Sequence, residues 1–108
     1  MRILFDQGTP VAIRKALQNH SVRTAREQGW STLLNGELLR VAEEAGFEVL
    51  LTTDTSLPHQ QNLHERKLAV VILTKNRWLL IEPSMKEIVA AMNSARPGTY
   101  SVVHIPDR

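Results

Sequence analysis

Short apolar runs alternate along this chain with segments in which apolar residues recur every three or four positions. Continuous apolar runs are typical of strands buried on both faces of a sheet, whereas the i, i+3, i+4 spacing is typical of helices. The predicted strands are 2–5, 21–25, 47–52, 68–74 and 100–105, and the predicted helices are 10–19, 36–45, 57–66 and 85–92. This order predicts an α/β fold of three layers with a mostly parallel central sheet.

Individual residues mark the ends of the predicted helices. Thr9 is expected to cap the first helix, with Pro10 at its first helical position. Asn35 is expected to cap the second helix, and Gly46 is expected to end it.

Composition limits the classes of protein and of chemistry. With 108 residues, 43% of them hydrophobic and 22% charged, the chain suits one domain, residues 1–108. The absence of cysteine excludes disulfides, thiolate catalysis and cysteine-bound zinc. The longest apolar run, 68–73, is far shorter than the roughly 20 residues of a transmembrane helix. Asp6 interrupts the apolar start of the chain where a signal peptide would continue, so a cytoplasmic protein is expected.

Positive charge is concentrated in the first third of the chain. The net charge is +2, and residues 1–30 hold five basic and two acidic side chains. An anionic partner is therefore expected to contact this part. Arg14 and Lys15, together with Arg77 after the fourth strand, are the predicted contacts for nucleic-acid phosphates, and Arg23 and Arg26 are further candidates. The alternative is that these residues form a solvated face.

Three acidic residues suggest a metal site. Asp6 follows the first predicted strand, Asp54 follows the third, and Glu37 opens the helix between them. Because ligands of open parallel sheets bind beyond the carboxyl ends of the strands, the three carboxylates are expected to converge there. Such a cluster needs a cation, and oxygen ligands without histidine or cysteine favour Mg²⁺ or Mn²⁺. A metal held in this way can activate water and stabilise a phosphodiester under attack.

Each acid also has a purely structural interpretation. Asp6 fits a turn before Gln7, and Asp54 fits the cap of a short following helix. Glu37 is favoured near a helix N-terminus by the helix dipole, whatever its function.

The chain resembles the small PIN-like domains related to VapC-type toxin ribonucleases and to the Mut7-C-type domain. The resemblance lies in Ile3-Leu4-Phe5-Asp6-Gln7-Gly8-Thr9-Pro10, in Glu37-Leu38-Leu39 and in Leu50-Leu51-Thr52-Thr53-Asp54, and extends over nearly all 108 residues. It implies Mg²⁺- or Mn²⁺-dependent cleavage of RNA by Asp6, Glu37 and Asp54. It also implies an antitoxin-like protein partner and a homodimer. Gln7 and Ser56 depart from the family pattern, which has further acids near these positions.

The departures leave three functional hypotheses open. The first is a metal-dependent, toxin-related ribonuclease. The second is a PIN-like interaction or nucleic-acid-binding module without catalytic activity, which Gln7 and Ser56 favour. The third is a receiver-type phosphoacceptor domain, since Asp54 follows the third strand and Thr74 ends the fourth. The last predicted strand has no lysine to hold a phosphoryl group, which counts against this third hypothesis.

Overall fold

A parallel sheet of five strands lies at the centre of the structure, a computed structural model that describes residues 1–107. The strands follow the order β2-β1-β3-β4-β5, and each neighbouring pair is parallel. Their bounds are β1 (Arg2–Phe5), β2 (Ser21–Thr24), β3 (Val49–Thr52), β4 (Ala69–Leu73) and β5 (Tyr100–Val103). The α/β class and the parallel sheet predicted from the apolar runs are confirmed.

Helical segments connect the strands. The α-helices are α1 (Asn35–Glu44), α2 (Leu57–Gln60), α3 (Trp78–Ile81) and α4 (Met85–Asn93), and 3-10 segments cover Val11–Leu17, Leu63–Glu65 and Glu82–Ser84. The first predicted helix is therefore present as a 3-10 segment. The turns over residues 78–84 were not predicted, because four-residue segments are too short to show a helical period. Within residues 1–107 no helix has the length and apolar character needed to cross a membrane.

Two apolar clusters cover the two faces of the sheet. On the first face, Phe5, Leu51 and Val71 pack with residues of the 3-10 segment Val11–Leu17 and of α4. On the second face, Leu4, Leu50 and Val70 pack with residues of α1 and α2. Successive strand residues thus point to opposite faces, as the pleat of a strand requires. The predicted three-layer arrangement is confirmed.

Thr9 and Asn35 do not cap helices as predicted. The Thr9 hydroxyl donates to the carbonyl oxygen of Leu51 on β3 at 3.1 Å, and Pro10 stands at the N-cap position. The N-cap of α1 is Leu34, and the Asn35 amide donates to the Asp54 carboxylate at 2.8 Å. Burial explains the first difference, since a buried hydroxyl needs an acceptor. A hydrogen bond to a charged acceptor, about twice as strong as a neutral one, explains the second.

The strand order creates a switch point between β1 and β3. The connection that follows β1 packs on the first face of the sheet, through Ile13 and Leu17. The connection that follows β3 packs on the second face, through Leu57 and Leu63. Where neighbouring strands send their connections to opposite faces, a crevice opens beyond their carboxyl ends, and ligands of such sheets bind there.

Candidate active site

Asp6 and Asp54 lie on the two sides of the switch point. Asp6 directly follows β1, and its backbone N–H donates to the Leu51 carbonyl of β3 at 2.9 Å. Asp54 follows Thr52, the last residue of β3, by two positions. The structure therefore brings together these two sequence-predicted site residues at the edge where ligands of parallel sheets bind.

Thr52 connects the two aspartates. Its hydroxyl donates to Oδ2 of Asp6 at 2.7 Å and accepts the backbone N–H of Asp54 at 3.1 Å. The Thr52 side chain is fully buried. A buried hydroxyl that satisfies both its donor and its acceptor positions has little freedom to turn, so Thr52 fixes the Asp6 carboxylate relative to the Asp54 backbone.

Residues that precede and follow Asp54 in the chain donate hydrogen bonds to its carboxylate. Oδ1 accepts the Ser56 backbone N–H at 3.0 Å and the Ser56 hydroxyl at 2.6 Å. Oδ2 accepts the Asn35 amide at 2.8 Å, and the same amide nitrogen donates to Oε1 of Gln60 at 3.0 Å. The bond from the Ser56 N–H forms an Asx turn, so the structural interpretation of Asp54 describes part of its environment.

The two environments move the two pKa values in opposite directions. Burial raises the pKa of Asp6, repulsion from Asp54 adds to this, and hydrogen bonds from Thr52 and Gln7 partly oppose it. The Ser56 hydroxyl lowers the pKa of Asp54, and the Asn35 amide and the Ser56 N–H lower it further against partial burial. Of the two groups, Asp54 is the one that holds its charge more firmly, and Asp6 is the stronger proton acceptor.

The donor atoms of this pair fit a small hard cation. A carboxylate oxygen can accept about two contacts. In the hydrogen-bond pattern of residues 1–107, both oxygens of Asp6 and Oδ2 of Asp54 accept one bond each, and Oδ1 of Asp54 accepts two. Three oxygens thus keep an acceptor position. Mg²⁺ is usually bound by one or two carboxylates and retains several waters, which this pair matches.

Glu37 lies apart from this pair. Its exposed carboxylate forms an ion pair with Arg40 on α1, and Arg40 also binds Glu44 at 2.7 Å. The Arg40 guanidinium lowers the pKa of Glu37. Residues three or four apart on a helix face each other, so α1 satisfies Glu37 locally. In place of the predicted three-carboxylate cluster the structure has a pair, and the described residues contain no group of three His, Asp or Glu side chains placed to hold a metal ion.

The predicted nucleic-acid contacts lie on two elements, Arg14 and Lys15 on one and Arg77 on the other. Arg14, on the 3-10 segment Val11–Leu17, forms an ion pair with Glu27 at 2.7 Å. Lys15 is exposed on the same segment. Arg77 is exposed and occupies the N-cap position of α3, which follows β4.

Thr74 bears on the phosphoacceptor hypothesis. Its hydroxyl accepts the backbone N–H of Ile105 at 2.8 Å, so it binds the segment that follows β5. The Asp54 carboxylate, which would be the phosphoacceptor, already accepts three hydrogen bonds from Ser56 and Asn35.

Three residues that contact the aspartates, Thr52, Ser56 and Asn35, are not among the predicted site residues. Thr52 is a polar residue at the end of an apolar run, a pattern that could have indicated a buried hydroxyl near the strand end. Ser56 was interpreted as the loss of an acid, and Asn35 as a helix cap. Only the spatial arrangement shows that both side chains bind Asp54.

The raised pKa of Asp6 predicts a pH dependence of stability. A folded-state pKa above the ordinary value of 3.8 means that the folded chain holds this proton more tightly than the unfolded chain. We therefore compare the free energy of unfolding of the wild type with that of Asp6→Asn in EDTA. The wild-type value minus the variant value should fall as pH rises from about 4 through the folded-state pKa. Urea unfolding of both proteins at a series of pH values measures this difference. A difference that rises with pH would contradict the raised pKa.

Comparison of the chain with protein-family models, with curated proteins and with solved structures finds no match.

Proposed function

We propose that this chain is a metal-dependent endoribonuclease of the PIN-like type, in which Asp6 and Asp54 bind Mg²⁺ or Mn²⁺. The observation that carries the proposal is the placement of these two carboxylates on either side of the β1–β3 switch point, joined through Thr52. The sequence resemblance of residues 3–10 and 50–54 to PIN-like domains supports RNA as the substrate.

The protein groups divide the work according to their environments. An ion held by Asp6 and Asp54 would supply positive charge for a phosphodiester under attack and would activate water. Asp54, fixed by three hydrogen bonds and with a lowered pKa, provides a permanent negative charge at a defined position. Asp6, whose two carboxylate oxygens each keep an acceptor position, would hold the ion together with Asp54. The Thr52 hydroxyl holds the Asp6 carboxylate in position for metal binding.

One observation favours the alternative of a PIN-like module without catalytic activity. Glu37 is bound to Arg40, and Ser56 stands where the family pattern has an acid, so the site has two carboxylates. Fewer carboxylates bind a divalent ion more weakly. This alternative predicts a folded protein that does not respond to Mg²⁺ or Mn²⁺.

Calorimetric titration of Mn²⁺ into the purified chain tests the proposal without knowledge of the RNA. We expect binding in the wild type and its loss in Asp6→Asn, since the variant removes one of the two charged ligands. Glu48→Gln removes an equal charge at the opposite end of β3 and should bind as the wild type does. A folded wild type that takes up no Mn²⁺, or an Asp6→Asn variant that binds equally well, would contradict the proposal.

A further inference from the structure

A cleft of about 180 Å³ opens beside Asp6, on the side towards β2. Its walls are formed by the loop from Asp6 to Thr9 and by the residues that follow β2, Ala25 and Arg26. This volume is larger than the roughly 30 Å³ share of one water and smaller than the roughly 300 Å³ of pockets for drug-sized ligands. It suits one small polar group of a larger molecule that extends into solvent.

The main chain around Arg26 is held against the end of β1. The Ala25 N–H donates to the Phe5 carbonyl at 2.8 Å, and the Trp30 N–H donates to the Ala25 carbonyl at 2.8 Å. The Arg26 carbonyl accepts the Gly29 N–H at 3.1 Å. Arg26 thus starts from a fixed backbone position at the same sheet edge as Asp6.

Arg26 differs from nearby basic residues in its ion pairs or in the cleft that it lines. The four cations that form ion pairs within residues 1–107 are Arg14, Arg40, Arg66 and Lys75, and Arg26 is not among them. Arg14 forms an ion pair with Glu27. Arg23 is an outward-facing residue of β2 and lines a different depression, with Arg14 and His20. Among the described basic residues of the first third, Arg26 is the one that shares a cleft with Asp6.

Asp6 and Arg26 share the cleft without forming an ion pair. Their charged groups are more than 4 Å apart, because no salt bridge joins them. The Arg26 side chain is exposed, and an exposed guanidinium gains little stability from pairing with a carboxylate in water. A phosphate of an RNA strand would instead accept hydrogen bonds from this guanidinium, while the neighbouring phosphodiester lies at Asp6 and Asp54.

We propose that Arg26 binds a backbone phosphate of the RNA in this cleft, next to the phosphodiester that lies at Asp6 and Asp54. The inference rests on the proposed function for the identity of the ligand. The Arg26 guanidinium offers a planar set of N–H donors that matches phosphate oxygens, which makes it a substrate-binding residue. The RNA strand then leaves the metal site across the end of β2 rather than towards β4.

Binding of a fluorescent single-stranded uridine decamer in EDTA, measured by anisotropy at several salt concentrations, tests this contact without cleavage. We expect Arg26→Ala to bind about tenfold more weakly than the wild type. The slope of log K against log salt should decrease in magnitude by about 0.7, the value for one phosphate of a single strand. Arg96→Ala removes an exposed arginine that precedes β5, beyond the opposite end of the parallel strands, and should change the affinity less than about twofold.

Two measurements keep this inference separate from the proposed function. If Arg26→Ala and Arg96→Ala lose affinity equally, the phosphate contact in the cleft is contradicted, whether or not the protein binds Mn²⁺. If Arg26→Ala alone loses affinity and slope, the contact is supported. The Mn²⁺ affinity of Arg26→Ala should equal that of the wild type. A loss of Mn²⁺ binding in this variant would show that the residue acts on the metal site and would also contradict the inference.

Discussion

The Asp54→Asn variant should cleave RNA in Mn²⁺ at least about 100-fold more slowly than the wild type, with the fold retained. Loss of a group that only supports a metal ligand typically costs about 10- to 100-fold, and Asp54 is proposed as a ligand itself. Asparagine keeps an oxygen for the two bonds from Ser56 but turns an N–H₂ group towards the Asn35 amide, which is also a donor. Single-turnover rates on a labelled single-stranded RNA, with circular dichroism as the folding check, measure the effect.

Glu37→Gln is the matched control for this prediction. It also removes one carboxylate near the start of α1, but that carboxylate is exposed and bound to Arg40. Exposed ion pairs of this kind contribute little to the stability of the fold, and Glu37 is not a proposed ligand. The cleavage rate should therefore stay within about twofold of the wild type. Equal losses in Asp54→Asn and Glu37→Gln would restore Glu37 to the site. An undiminished rate in folded Asp54→Asn would remove Asp54 from it.

The strands were predictable because a strand buried on both faces appears in the sequence as a continuous apolar run. The five residues of β4 are all buried, and they appear in the chain as one unbroken apolar run. The start of β3 was less exact, since Phe47 packs on the second face before the ladder begins at Val49. Gly46, with a φ of +85°, ends α1 as predicted, because a positive φ is accessible to glycine without strain.

The spatial order of the strands was not predictable from their order along the chain. Placing β1 between β2 and β3 requires that the connection from β2 to β3 cross β1 on the second face. Neither apolar period nor capping residues carry that information. Parallel strands alone place Asp6 and Asp54 at the same edge of the sheet, but their closeness results from β1 and β3 being neighbours, which the order along the chain did not reveal.

The hydrogen-bonded surroundings of the two aspartates depended on distant parts of the chain. Asn35 and Asp54 are 19 residues apart, and Thr52 and Asp6 are 46 apart. Local patterns favoured a helix cap for Asn35, because an asparagine before an apolar helical period is typical of an N-cap. Ser56 was counted as a missing acid, whereas in the structure it lowers the pKa of the acid that is present. An acid at position 56 would raise the pKa of Asp54 by repulsion, whereas the Ser56 hydroxyl lowers it.

Thr52→Val should be the most destabilising change within the site. The substitution keeps the shape of the buried side chain but leaves the Asp54 N–H without an acceptor and Oδ2 of Asp6 without its donor. An unsatisfied buried group costs about 1–3 kcal/mol. For a domain of this size that corresponds to a fall in Tm of roughly 5–15 °C, measured by calorimetry. Thr52→Ser keeps the hydroxyl and loses one methyl group, so it should cost only about 1 kcal/mol.

The pH dependence of Mn²⁺ binding shows whether Thr52 positions the metal site or only stabilises the fold. Because the Thr52 hydrogen bond lowers the pKa of Asp6, Thr52→Val should raise that pKa further. Protons compete with the metal for the carboxylate, so Mn²⁺ binding in Thr52→Val should require a higher pH than in the wild type. Thr52→Ser, which retains the donor, should keep the wild-type pH profile. If Thr52→Val lowers Tm but leaves both the Mn²⁺ affinity and its pH midpoint unchanged, Asp6 does not depend on this hydroxyl for its charge, and the proposed positioning role of Thr52 is wrong.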